Sequence, residues 1–299
     1  RNNLKNENIK LHKEEDGSYT KWILNIRTNK NIIKYLNHPK LEKFTQRGPI
    51  TPDHVIRIKP KPLIIDLSKK TGKQIEITIK NNIQKFKSEY KKNFLRNKKY
   101  LPNSKELDPN PRLVFIPGFA IIGIGRTLKE ASIASDLAEC TVDVISKAES
   151  FGKFQSINEK EIFKVEYWSL EQAKLKGAIR QSFTGNIVVI SGGCGAIGLA
   201  TAREFLNEGA EVILLENNLL NIKNTPQEIA KKVKIIRCDV TNLLDVQKAF
   251  EEICLIYGGM DILVSNAGIA PGGAIGEVSD DILRKSFEVN FFSHQNCAS

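Results

Sequence analysis

One stretch of this 299-residue chain constrains its fold more than any other: Ile187-Val188-Val189-Ile190-Ser191-Gly192-Gly193-Cys194-Gly195-Ala196-Ile197-Gly198. Four consecutive apolar residues, all β-branched, predict a strand buried on both faces. A glycine-rich turn follows directly, and then a helix over 196–207 that stops at Gly209. The pattern repeats downstream. Strands are expected over 212–215, 233–237 and 262–264, and helices over 226–232 and 243–257, the latter closed by Gly258-Gly259. Continuous apolar strands alternating with helices require a parallel, doubly wound α/β sheet covered on both faces.

The turn also has a chemistry. Glycines between a strand and a helix let the backbone approach a pyrophosphate, and the helix N-terminus favours its negative charge. Glu216 ends the next strand, 18 residues after Gly198. A carboxylate there is placed to bind both hydroxyls of an adenosine ribose. It also repels a 2′-phosphate, and Asn217 and Asn218, not Lys or Arg, follow it, so NAD is expected over NADP. The competing reading is a loop whose glycines merely permit tight packing.

With these residues in view, 185–299 resembles the short-chain dehydrogenase/reductase family, whose fold is of the Rossmann type. Ser191 to Gly198 is similar to its T-G-x-x-x-[GA]-x-G fingerprint, with Ser for Thr and Ala196 at the permissive position. Cys238-Asp239-Val240-Thr241 resembles the segment whose Asp meets the adenine amino group. Ser265-Asn266-Ala267-Gly268 resembles N-N-A-G, with Ser at the first position. Phe287-Glu288-Val289-Asn290 resembles the helix carrying the Asn of the catalytic tetrad. The resemblance implies dinucleotide contacts from Ser191, Gly192, Cys194, Ala196, Ile197, Gly198, Glu216, Asp239, Val240, Asn266, Ala267 and Gly268. It implies a catalytic role for Asn290, holding a proton-relay water. The alternatives are that Asp239 is only a turn or cap residue, that Asn266 ties strands together, and that Asn290 is an ordinary helix residue. The family also needs a Ser, and a Tyr and Lys spaced Y-x-x-x-K, and no Y-x-x-x-K occurs in this chain. The chain is therefore expected to be a fragment, cut before those residues, that binds a dinucleotide poorly and is inactive in hydride transfer by itself.

The front half resembles the class II aldolase/short-chain dehydrogenase fusion proteins, of the rhamnulose-1-phosphate aldolase type. The resemblance rests on Arg47-Gly48-Pro49-Ile50-Thr51-Pro52-Asp53-His54-Val55-Ile56-Arg57, on Ile116-Pro117-Gly118-Phe119 with Gly123-Ile124-Gly125-Arg126, and on the segment from Val165 to Lys174. It implies the tail of a three-layer α/β aldolase domain, sugar-phosphate cleavage linked to lactaldehyde oxidation, and a homo-oligomer in the intact protein. Aldolases of this type hold zinc through three His, two as H-x-H. The chain has only His12, His38, His54 and His294 and no H-x-H, so no metal ligand is assigned and zinc is expected only upstream. His54 either reaches an aldolase site or is a loop His bonded to backbone. The G-x-x-x-x-G-x-G string from Gly118 to Gly125 lacks an acidic strand end after it, and is read as packing.

Composition bounds the rest. Residues 1–100 hold 25 Lys/Arg against 9 Asp/Glu, and the remainder 20 against 25. That asymmetry can mark a nucleic-acid contact. A solvated basic surface explains it without one, and no RNA-binding signature accompanies it, so no nucleic-acid partner is expected. Five Cys, an odd number with no C-x-x-C pair, argue against a disulfide framework. With no apolar run long enough to span a bilayer, they point to the cytoplasm and no membrane. The expected organisation is an aldolase-like part over 1–152, a linker over 153–184 and the dinucleotide domain over 185–299. Within the first part, 32–36 and 83–94 read as helices, 75–79 as a half-buried strand, and 47–54 and 105–112 as loops. Strands over 113–116 and 119–124 precede a helix from a capping box at Thr127. The rival readings are a dehydrogenase with a basic accessory region unrelated to aldolases, and a non-catalytic dinucleotide- or nucleic-acid-binding protein.

Overall fold

The computed structural model describes residues 22–174, 181–274 and 276–298. Gly177, His12 and the first residues of the expected aldolase-like part lie outside them. The chain divides into two compact units, Arg1–Ile179 and Arg180–Ser299.

The first unit is built on a mixed four-stranded sheet. Its strands are β1 (Ile23–Arg27), β2 (Leu63–Ile64), β3 (Leu113–Ile116) and β4 (Ala120–Gly125), in the order β1-β4-β3-β2. β4 pairs antiparallel with β1 and β3, and β2 pairs parallel with β3. Alternation along β3 sends Leu113 and Phe115 to one face and Val114 and Ile116 to the other. The first face packs on helices α1 (Lys30–Leu36), α2 (Leu41–Thr45) and α5 (Leu128–Phe151) through Ile32, Phe44, Ala134 and Ile145. The second packs on α4 (Lys73–Asn97) through Ile79 and Ile83. Between α2 and α4 lies α3 (Pro52–Ile58). Helices on both faces make three layers, as expected.

Two expectations fail here. Residues 75–79 are not a strand but the first turns of the 25-residue α4. Ile75, Ile77 and Ile79 alternate over a short window, yet Ile79, Ile83, Tyr90 and Phe94 form a longer buried stripe at helical spacing, and Ile77 stays 57% exposed. Residues 47–54 are only partly loop. Thr51 caps α3, Pro52 occupies its first turn, and His54 lies inside it. The Gly118–Gly125 string is packing: a Cβ at Gly123 would sit 2.3 Å from the Ala131 carbonyl oxygen of α5.

The expected linker is also corrected. Helices α6 (Glu159–Glu166) and α7 (Ser169–Ala173) belong to the first unit. Phe154 enters the core with Phe115, Ile162 packs on Val55 and Ile56 of α3, and Phe163 stacks on Tyr167 and meets Phe94 at a tilt. Those partners are distant in sequence, so the segment looks unattached until the chain folds. Glu166 is buried and accepts from the Tyr90 hydroxyl at 2.6 Å. The Lys59 ammonium lies 3.8 Å from the Tyr90 ring centroid and donates to the Asp108 carbonyl at 2.6 Å. Burial lowers the Lys59 pKa from 10.5 to about 8, against the pull of Glu166, and burial pushes Glu166 up.

The second unit is a parallel sheet of β5 (Ile187–Ser191), β6 (Glu211–Glu216), β7 (Lys234–Arg237) and β8 (Ile262–Val264), in the order β7-β6-β5-β8. Helix α8 (Ala196–Asn207) joins β5 to β6, and α11 (Leu243–Tyr257) joins β7 to β8. The short helix expected over 226–232 is α10 (Gln227–Ala230), and a further short helix, α9 (Leu219–Lys223), precedes it. Ile187 to Ile190 are fully buried, each contributing at most about 1.5–3 kcal/mol. Beyond β8 come α12 (Asp280–Phe287), a π-helical turn over Glu288–Phe292 and α13 (Ser293–Ala298). The strand order reverses direction between β5 and β8, the place where a doubly wound sheet opens a crevice at its carboxyl ends.

Candidate dinucleotide site

The site lies at that reversal. Ser191 ends β5, and its buried hydroxyl accepts from the backbone N–H groups of Asn266 (3.0 Å) and Ala267 (3.1 Å). In return the Asn266 side-chain amide donates to the carbonyls of Ser191 (2.9 Å) and Gly192 (3.1 Å). Gly192 has φ +59, and a Cβ there would lie 2.9 Å from the Ala267 Cα. Only glycine satisfies both the left-handed backbone and that approach. A Cβ at Gly198 would come 2.6 Å from the Gly192 carbonyl, so the helix also sits tight on the turn.

This packing leaves the N-terminus of α8 open. Its cap is Gly195, and no side chain caps it. The first amides of a helix need an acceptor, and an anion at that end supplies one. Ala196 and Ile197 stand exposed on the first turn, Ile197 at 73%. The Cys194 thiol is buried and pushed up by that burial, with the Glu216 charge adding to the rise. The Gly193 N–H donates to the carbonyl of Leu215 at 3.1 Å, which sets Glu216, the next residue, beside the turn. Glu216 is 8% exposed, and its Oε1 accepts from the Asn218 N–H at 2.9 Å.

Asp239 closes the side beyond Glu216. One oxygen accepts from the Thr241 N–H (3.0 Å) and hydroxyl (2.7 Å), and the other from the Asn217 side-chain amide (3.0 Å). It is thus a turn residue, with its second oxygen tied to the residue after Glu216. Val240 is buried, and its carbonyl accepts from the Asn296 amide at 3.1 Å. Gly268 is exposed, and a Cβ on it would lie 3.3 Å from the Asn290 Oδ1. Asn290, in the π-helical turn, holds the backbone of Ile269 from both sides: Oδ1 accepts from its N–H and Nδ2 donates to its carbonyl, each at 2.8 Å. π-Turns interrupting helices often mark functional positions.

The structure thus ties Ser191 and Gly192 to Asn266 and Ala267 by hydrogen bonds, sets Gly198 against Gly192 and Gly268 beside Asn290, and places Glu216, Asp239 and Val240 along the adjoining strand ends. Sequence reasoning missed Asn217, Ser265 and His294. The Ser265 hydroxyl is hydrogen-bonded to the His294 ring at Nδ1. The available signals were the Ser that departs from the resembled pattern and a His four residues after Asn290.

His54 is 3% exposed, its Nδ1 is 2.8 Å from the Thr51 hydroxyl, and burial lowers its pKa. Among the described residues, no three His, Cys, Asp or Glu side chains converge as a metal site would require. The first unit also carries a cavity of about 620 Å³ between α1 and α5, edged by Lys34, Tyr35, His38, Phe44, Glu139 and Asp143.

Residues 6–175 match the family described as "Aldolase class II, second domain", and residues 186–299 match "short chain dehydrogenase". The chain belongs to the aldolase class II second-domain family, continued by a short-chain dehydrogenase domain. It is 32% identical, over 267 residues, to the uncharacterized oxidoreductase YuxG of Bacillus subtilis (strain 168), covering 87% of this chain and 38% of YuxG. Over 104 residues it is 29% identical to galactitol 2-dehydrogenase of Agrobacterium fabrum, covering 35% of this chain and 41% of that protein. A solved short chain dehydrogenase from Bacillus anthracis shares 25% identity over 38% of this chain and 48% of its own, with a TM-score of 0.36. The chain spans about two fifths of the length of these curated relatives. No helix among the described residues is long and apolar enough to cross a membrane.

Proposed function

We propose that the chain is part of a bifunctional enzyme. In this reading its second unit binds NAD for a dehydrogenase acting on a small, lactaldehyde-like alcohol or aldehyde. Its first unit belongs to an aldolase half that cleaves a sugar phosphate of the rhamnulose-1-phosphate kind. The observation that carries the reading is the uncapped α8 N-terminus behind a glycine turn, with the buried Glu216 carboxylate beside it.

The chain's residues fit the cofactor's parts in order. The turn from Ser191 to Gly198 would face the pyrophosphate. Glu216 would accept from the adenosine ribose hydroxyls and exclude a 2′-phosphate. Asp239 and Val240 would border the adenine, and Asn266, Ala267 and Gly268 the remaining length. Bound NAD would supply the hydride acceptor. Asn290 would hold a relay water near the reacting carbon, while the general base and its partners would come from outside this chain. Zinc would belong to the aldolase portion upstream. The intact protein would be a homo-oligomer in the cytoplasm with small-molecule substrates. We assign the residues before 175 to the aldolase side and 185–299 to the dinucleotide side.

Fluorescence titration of the chain with NADH and NADPH tests this. Saturable binding with NADH preferred supports it. Binding of neither sinks the dinucleotide reading, and a preference for NADPH sinks the role given to Glu216. Substrate-dependent NADH formation by this chain alone would overturn the view that its base lies elsewhere.

A further inference from the structure

Segment 265–269 is held from two sides. On one side Asn266 and Ala267 lock onto Ser191 and Gly192. On the other, the helical stretch after α12 touches both ends of the segment: Asn290 grips Ile269, and His294, one turn later, meets the Ser265 hydroxyl. Residues four apart on a helix share a face, so the two contacts act as one two-point clamp. Ser265 stands where the resembled pattern has Asn, and His294 is the side chain that meets this substitute.

We propose that His294 and Ser265 are a paired positioning device for the dinucleotide site: the imidazole, through the Ser265 hydroxyl, fixes segment 265–269 and thereby the glycine turn. The inference rests on the dinucleotide reading above. Neither residue touches the turn itself, so both act only through Asn266 and Ala267. The pair forms the outer half of the clamp and Asn290 the inner half. Removing either member frees the same contact, so removing both adds nothing further.

The test uses the full chain and the variants Ser265→Ala, His294→Ala, the double variant and His294→Asn, whose side chain can place a polar atom near the Nδ1 position. NADH affinity is read by fluorescence titration. Each single Ala variant is expected to weaken binding about fivefold, the size of effect found for directly contacting residues, with the double variant no weaker than either. His294→Asn should recover most of the loss. Amide hydrogen exchange provides a readout independent of cofactor. Exchange at the Asn266 and Ala267 N–H groups should quicken in both Ala variants, while exchange in β6 stays unchanged. If the unaltered chain binds neither NADH nor NADPH, the dinucleotide reading falls, and exchange at those two amides still decides whether the clamp exists. Unchanged exchange there overturns the proposal. So does an NADH affinity that ignores the substitutions, or losses that multiply in the double variant.

Discussion

At the scale of single residues, the proposed NAD reading gives Glu216 the choice of cofactor. The residue is buried at a strand end with one oxygen tied to the Asn218 amide, so its second oxygen is the one left to face a ribose. Glu216→Ala should weaken NADH by about tenfold, or ~1.4 kcal/mol, and narrow its advantage over NADPH, read from parallel fluorescence titrations. Gly192→Ala meets two obstacles at once, the φ of +59 and the contact with Ala267. It should destabilise the second unit by about 1–3 kcal/mol, measured by urea unfolding, and abolish NADH binding. Lys59 gives a pH prediction for the first unit. Its native pKa, about 8, lies below the ordinary 10.5 because the ammonium is buried. From pH 8 upward the unfolded chain holds a proton that the native unit has released, so this group makes the native unit more stable as pH rises. Glu166, Asp108, Arg112 and Tyr90 surround it. Tyr90 and its neighbour Tyr167, both raised above 10, act in the opposite sense only above about pH 10. Unfolding midpoints taken between pH 8 and 10 should rise less in Lys59→Met than in the unaltered chain. Equal slopes would mean that Lys59 is solvated.

At the scale of elements, legibility followed the distance between partners. The β5 turn and α8 were readable because strand, glycines and helix are contiguous in sequence. So was the Thr127 cap of α5, whose hydroxyl accepts from the Glu130 N–H at 3.2 Å. α4 was misread at its start because five residues of alternation fit a strand as well as a helix, and only the 25-residue stripe separates them. β1 and β2 gave no signal, since each is short and is defined by pairing with distant β4 and β3. Two substitutions test the corrected element by urea unfolding. Ile83→Ala, at a fully buried position of α4, should cost about 2–5 kcal/mol. Ile77→Ala, on its exposed side, should change stability by no more than about 0.5 kcal/mol. Large losses at both positions would restore the strand reading. In the site, Asn217, Ser265 and His294 escaped for the same reason: the Ser265–His294 pair is separated by 29 residues, and no local pattern announces it.

At the scale of the molecule, the chain is two units with separate cores, one three-layered around a mixed sheet and one around a parallel sheet. The division was visible in the motifs, but the extent of the first unit was not, because Phe154 and Phe163 commit the expected linker to it. A ligand that binds only one native unit stabilises that unit alone. NADH at 100 times its Kd should raise the unfolding free energy of the second unit by about 2.7 kcal/mol and leave the first unchanged, as two calorimetric transitions would show. An equal rise in both would make the chain one cooperative body. The clip between Ser191 and Asn266 also has a bearing on biosynthesis. Its two halves are 75 residues apart, and the intervening chain includes three of the unit's four strands. A ribosome adding about 5–20 residues per second delivers the glycine turn roughly 4–15 s before the asparagine that closes it. During that interval β6, β7 and β8 are added while the clip stays open, so on the proposed reading a dinucleotide can stabilise only chains translated past β8.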